Sequence, residues 1–245
     1  MNSKRQKLFV ILCGVFIINV VLAEFIGVKI FSLEFSLGLQ QAKIPIFGQI
    51  FSFDLTAGVL LWPVVFVMTD VINEHFGVKG VKFISWLASI LIVYGFIVTY
   101  FAIQLTPSAW WVGVNQAKGV ENMQSAFSVI FGQGMWIIAG SVTAFLVGQI
   151  LDAIIFQKIK SMLKGKMLWL RATVSTLISQ FIDSYLVLYI AFFLGSNWKL
   201  QTVLSIGTGN YIYKFLVALL MIPLLYFIHY LIKKYLKNDK NELLK

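Results

Sequence analysis

Two stretches of the chain repeat one device. Gln149-Ile150-Leu151-Asp152 and Gln180-Phe181-Ile182-Asp183 each set a side-chain amide and a carboxylate three residues apart, a spacing that puts both on one face of a helix. Thr69-Asp70-Val71-Ile72-Asn73-Glu74 supplies a third face of the same character. A carboxylate accepts two hydrogen bonds side by side, while an amide both donates and accepts. Such faces suit a small polar solute. Small neighbours, Gly148 and Ala153 on one face and Ser179 and Ser184 on another, let helices approach closely there. The same groups can tie helices together by hydrogen bonds alone. Three such faces together ask for more, because a carboxylate at bilayer depth costs several kcal/mol and persists only beside a cavity or a partner.

The elements that carry these faces are membrane helices. Hydrophobic residues make up 59% of the chain and charged ones 12%, which leaves too little polar surface to coat a soluble globule. Six apolar runs are long enough for a hydrocarbon core about 30 Å thick. They are Leu8–Phe31, Leu55–Phe76, Val81–Leu105, Met135–Phe156, Ala172–Leu194 and Tyr211–Ile232. The expectation is an all-α polytopic membrane protein with six helices, forming one domain over 1–245. The longest gaps, Ser32–Asp54 and Thr106–Gly134, read as exposed loops or short interfacial pieces.

The net charge of +10 would suggest nucleic acid in a soluble protein, but its placement argues otherwise. Fifteen basic residues fall before the first run, between the second and third, between the fourth and fifth, and after the sixth; the alternate loops hold only Lys43, Lys118 and Lys199. This positive-inside pattern puts both termini in the cytoplasm and makes the charge a topology signal. Lys4–Lys7 and the apolar stretch to Ala23 resemble a signal peptide, yet the run continues to Phe31, longer than a usual signal core, and an uncut helix is expected.

Other intramembrane groups read more plainly. Glu24 lies within the first run. Lys29 and Lys214 are expected to snorkel to the outer interface. Asp70 and Glu74, near the inner end, could be solvated or paired with Lys79 or Lys82. His75 reads as interfacial, His229 has no evident partner, and the single Cys13 rules out an intramolecular disulfide. No phosphate loop, His-Glu-x-x-His, Gly-x-Ser-x-Gly or Cys pair occurs, so neither a cofactor nor a metal is expected and the chain does not read as an enzyme.

Trp62-Pro63-Val64-Val65-Phe66-Val67-Met68-Thr69-Asp70-Val71-Ile72-Asn73-Glu74-His75-Phe76-Gly77 resembles the second-helix signature of the queuosine precursor transporter family, the vitamin uptake transporters. The segments from Ala144 to Asp152 and from Trp169 to Ser184 are similar to that family's fourth- and fifth-helix blocks. Ala172-Thr173-Val174 departs from the polar triplet that many members carry after the arginine. The resemblance implies an inner-membrane importer of 7-deazaguanine bases for tRNA modification.

Such a base shows a ring N–H and an exocyclic amine to one carboxylate, and a carbonyl and ring nitrogens to an amide. The expected substrate-binding residues are Asp183, Gln180, Asp152, Gln149, Asp70, Asn73 and Glu74, with Trp62, Phe66 or Phe181 stacking on the ring. Counted from Ala172, Asp183 lies roughly 16 Å along its helix and near the midplane, whereas Asp152 lies roughly 6 Å from an inner end. Asp183 with Gln180 is therefore the expected base site, and Asp152 with Gln149 the inner gate or second contact. The expected partners are the base and the lipid bilayer, with no nucleic acid. Homo-oligomerisation is left open. The competing reading is a membrane binding subunit or scaffold that works only with partner proteins.

Overall fold

A computed structural model of the chain describes residues 4–46 and 48–242. Helix α1 is Lys4–Ile26, the short α2 is Leu33–Ser36, and α3 is Trp62–Gln104. After α3 come the short α4 (Ala109–Val112) and α5 (Met123–Phe131), then α6 (Met135–Met162), α7 (Leu168–Leu188), α8 (Leu200–Leu220) and α9 (Ile222–Glu242). Strands β1 (Ile30–Ser32) and β4 (Asp54–Thr56) pair antiparallel, as do β2 (Ile44–Ile46) and β3 (Gln49–Phe51).

Helix α3 is two helices joined at Gly77, whose φ of 69° and ψ of −173° are not helical. A Cβ on Gly80 would lie 3.4 Å from Ile72 Cγ2. Eight residues of straight helix would separate these positions by roughly 12 Å, so the chain doubles back there. The left-handed φ is a conformation that glycine reaches without Cβ strain.

Side-chain pairs give the direction of each helix. Phe9 meets Phe76 and Phe83, while Phe25 stacks on Phe96, so α1 runs parallel to the second arm of α3. Glu74 meets Lys160 and Arg171, Trp169 N–H reaches Tyr226, and His75 faces His229 at 5.2 Å. The four basic segments therefore gather at one end of the bundle, the basic end below. The core is apolar, with Phe16, Phe156, Ile72, Ile84 and Val20 almost fully buried, but the outward face is apolar too, carrying Ile11, Phe83, Trp86, Tyr94 and Phe101. Five helical stretches are long and apolar enough to cross a membrane, with both arms of α3 inside one of them. This is an all-α, multi-pass membrane protein.

The boundaries differ from the sequence expectation at several places: α6 runs on to Met162, α7 begins at Leu168 and α8 at Leu200. Ile30 and Phe31 leave the first helix, and Leu55 precedes the second, because they pair as β1 and β4 beyond the end of α1. The sixth apolar run is two helices meeting at Met221, where Pro223 has no N–H to give to the Leu219 carbonyl. The segment from Ser32 to Asp54 is also more structured than an exposed loop. Its Glu34 is buried and accepts the N–H groups of Phe53 (2.9 Å) and Ala42 (3.2 Å) and the Ser32 hydroxyl (3.0 Å). Burial opposes the Glu34 charge, but these bonds outweigh it and hold the carboxyl below its usual range. Phe51 from this segment lies against Gly209 of α8, where a Cβ would overlap its ring. The other long gap, with α4 and α5, buries no residue in either helix and lies at the periphery as expected.

The charge bias predicts that the basic end is cytoplasmic. Reporter fusions at Lys164 and at the C-terminus should both read as cytoplasmic; a periplasmic reading at either position would overturn that orientation.

Candidate functional site

Helices α6 and α7 cross closely because small residues line their contact. A Cβ on Gly148 would sit 3.4 Å from the Asp183 Cβ, and one on Gly140 would sit 3.0 Å from the Val187 carbonyl. Small-residue contacts of this kind bring polar side chains of neighbouring helices within hydrogen-bond reach. The three faces read from sequence, on α3, α6 and α7, converge here into one buried polar seam.

Asp183 is at one end of the seam and is ion-paired with Lys214 of α8, both side chains being largely buried. Lys214 Nζ also lies 6.0 Å from the centre of the Trp62 ring, within range of a cation–π contact. Lys214 does not snorkel to an interface: it points inward because a buried carboxylate offers a partner that lipid cannot. Glu24, which accepts the Ser141 hydroxyl at 2.6 and 2.7 Å, is near enough to feel the Asp183 charge. Lys29 follows the end of α1 and is exposed.

Toward the basic end, Thr69 donates to Gln149 Oε1 at 2.7 Å, and Gln180 Oε1 is buried without a hydrogen-bond partner in the protein. Next, Asp152 accepts the Thr176 and Ser179 hydroxyls at 3.2 and 3.3 Å. Asp152 is ten residues from the last residue of α6, roughly 15 Å along the axis rather than 6 Å, because that helix runs on past Phe156. The two carboxylates therefore lie about one helical turn apart. Asp70 Oδ1 and Thr173 Oγ1 are buried without protein partners, and the two residues line a small cavity with Phe66 and Thr176.

At the basic end the seam closes. Asn73 donates to the Ala153 carbonyl at 3.0 Å and accepts Gln157 Nε2 at its carbonyl and side chain, at 2.7 and 2.8 Å. Glu74 bridges Arg171 and Lys160, each at 2.9 Å. Its partners are thus on α6 and α7, since Lys79 and Lys82 lie beyond the reversal at Gly77. Arg171 is only 2% exposed and sits 5.1 Å over the Phe156 ring. Phe181, half exposed, faces away from the seam and packs on Tyr185 and Tyr211.

All seven residues expected from sequence lie on this seam. Sequence reasoning missed Lys214, Arg171, Thr173 and Thr176. The signal for the two threonines was present: with Gln180 and Asp183 they fall at helical spacing on one face of α7.

A bundle of apolar helices enclosing a buried seam of carboxylates, amides and one inward lysine belongs to the class of polytopic membrane proteins that handle polar solutes. Comparison with known proteins then places the chain. Residues 56–228 match the family model described as "Putative vitamin uptake transporter", and the chain belongs to this family, a family of transporters rather than enzymes. It is 28% identical over 195 residues to a Bacillus subtilis (strain 168) protein named "Probable queuosine precursor transporter", covering 78% of this chain and 77% of that one. A Haemophilus influenzae protein of the same name is 23% identical over 177 residues, covering 70% of this chain and 66% of its own length. No solved structure matches.

Proposed function

We propose that this protein imports queuosine precursors, 7-deazaguanine bases, across the cell inner membrane, and that Asp183 with Gln180 holds the base. The carrying observation is the pairing of a mid-bundle carboxylate with an amide oxygen that has no protein partner three residues away. Asp183 is fifteen residues into α7, roughly 22 Å along a helix that continues to Leu194. That is the middle depth at which carriers bind their solutes. The Asp183 carboxylate accepts the ring N–H and exocyclic amine, displacing Lys214 toward the Trp62 face. Gln149 and Asp152, a turn further on, form the next polar contact on the way to the basic end. Asn73 and Glu74, held by Gln157, Arg171 and Lys160, close the inner end. Asp70 borders the polar path and lines its own small cavity. The names of the two relatives support the substrate class.

The test is uptake of labelled bases by cells that cannot make the precursor, scored by queuosine in their tRNA, together with binding to purified protein. Asp183→Asn keeps the size of the side chain and removes its charge. It should weaken binding about tenfold or more, in line with the roughly 1.5–3 kcal/mol of a charged hydrogen bond, measured per folded molecule because the change also leaves Lys214 without its counter-charge. Asp152→Asn should slow transport more than it weakens binding. The opposite order would exchange the two roles, and uptake of no base by the wild type would remove this function. Dependence of uptake on an added protein in liposomes would favour the scaffold reading.

A further inference from the structure

The cavity beside Asp70 lies between α3, α7 and the α8–α9 junction. Its volume is about 20 Å³, room for roughly one water or one bare monovalent ion. A heterocyclic base needs a pocket of roughly 300 Å³ or more, so the occupant is small. Asp70 and Thr173 line it, and their Oδ1 and Oγ1 atoms are buried without protein partners, both residues being more than nine-tenths buried. Thr176 adds a third oxygen, and its hydroxyl hydrogen is directed at Asp152, which leaves oxygen lone pairs for the cavity.

The charges point the same way. Glu74 is matched by Arg171 and Lys160, leaving one positive charge over, while Asp70 and Asp152 bring two negative charges to its neighbourhood when both are ionised. In that state one negative charge is left uncompensated inside the bundle, where an unpaired charge costs several kcal/mol unless a bound cation offsets it. The α8–α9 break adjoins the same space, with Ala218, Met221 and Ile222 lining it. A carboxylate and two hydroxyls are hard oxygen donors that suit a hard cation.

We infer that Asp70, Thr173 and Thr176 form a sodium-ion site, and that the ion drives inward movement of the solute bound at Asp183. The binding claim is independent of which solute is carried; only the coupling rests on the transport reading above. A bound proton would also cancel the charge, but it needs neither the two hydroxyls nor the space between them, and the sodium site accounts for both.

The experiment follows thermal unfolding of the purified protein in detergent, without any base, as NaCl replaces choline chloride at constant ionic strength and pH. Sodium should raise Tm by about 5 °C or more at a hundredfold excess over its dissociation constant. Radioactive sodium should bind once per chain. Asp70→Asn should abolish both responses, and Thr173→Val, which keeps the side-chain shape, should weaken sodium binding about tenfold. Either of two results overturns the site: equal Tm in sodium and choline for the wild type, or unchanged sodium binding in both variants. A stabilisation that follows pH alone, identical in the two salts, assigns the charge to a proton and also overturns it. In liposomes an inward sodium gradient should accelerate base uptake. Sodium binding with uptake that ignores the gradient overturns the coupling; sodium binding with no uptake of any base keeps the site and refutes the base assignment.

Discussion

Lys214→Met is expected to destabilise the protein by about 3–5 kcal/mol, the cost of leaving one member of a buried pair without its counter-charge. Asp183 and Lys214 are both largely buried, so the carboxylate left behind has little water to turn to. The double variant Asp183→Asn, Lys214→Met should recover most of that loss, because no charge is then stranded. Uptake should stay absent in the double variant, since the base has lost its acceptor. Unfolding in detergent measures the first two quantities and cellular uptake the third. A single variant within about 1 kcal/mol of the wild type would mean that the pair is solvated, and a double variant that transports normally would remove Asp183 from the base site.

Arg171→Met is the second large effect. The guanidinium bridges to Glu74 and lies over Phe156 while almost wholly buried. Its loss takes away a charge-assisted bond and a cation–π contact together, at a cost of about 3 kcal/mol or more. Lys160→Met removes the other partner of the same carboxylate, but the Lys160 side chain is 27% exposed and water can replace it. That change should cost about 1 kcal/mol or less. The comparison is internal, so errors in the unfolded reference largely cancel. Equal losses in the two variants would show that Arg171 is no more buried in the working protein than Lys160.

The polar seam was legible because carboxylates and amides inside apolar runs are rare, and spacing alone put them on shared faces. The partners were harder to read. Lys214 is fourteen residues into α8, a depth that sequence alone could assign to an interface because the true start of that helix was hidden in a run taken to begin at Tyr211. Arg171 read as one more loop cation until α7 proved to begin at Leu168, which carries it into the bundle. The segment before α3 was opaque for another reason. Its three-residue strands are too short for a period-two signal, and what orders them is Glu34, whose acceptor role depends on N–H groups eight and nineteen residues away.

The reversal at Gly77 has a mechanical consequence. Two helical arms meeting at a single non-helical residue have no slack between them, so neither can slide along its own axis without dragging the other. The arm that carries Thr69 and Asp70 is thereby fixed to the arm that packs on α1, and the three move as one lever. The chain's compliant joints lie elsewhere, at the π-helical turn Tyr189–Leu194 that ends α7 and at the break between α8 and α9, where hydrogen-bond registers shift at low cost. These joints, rather than the reversal at Gly77, are where the ends of the helices that carry Asp183 and Lys214 can change direction.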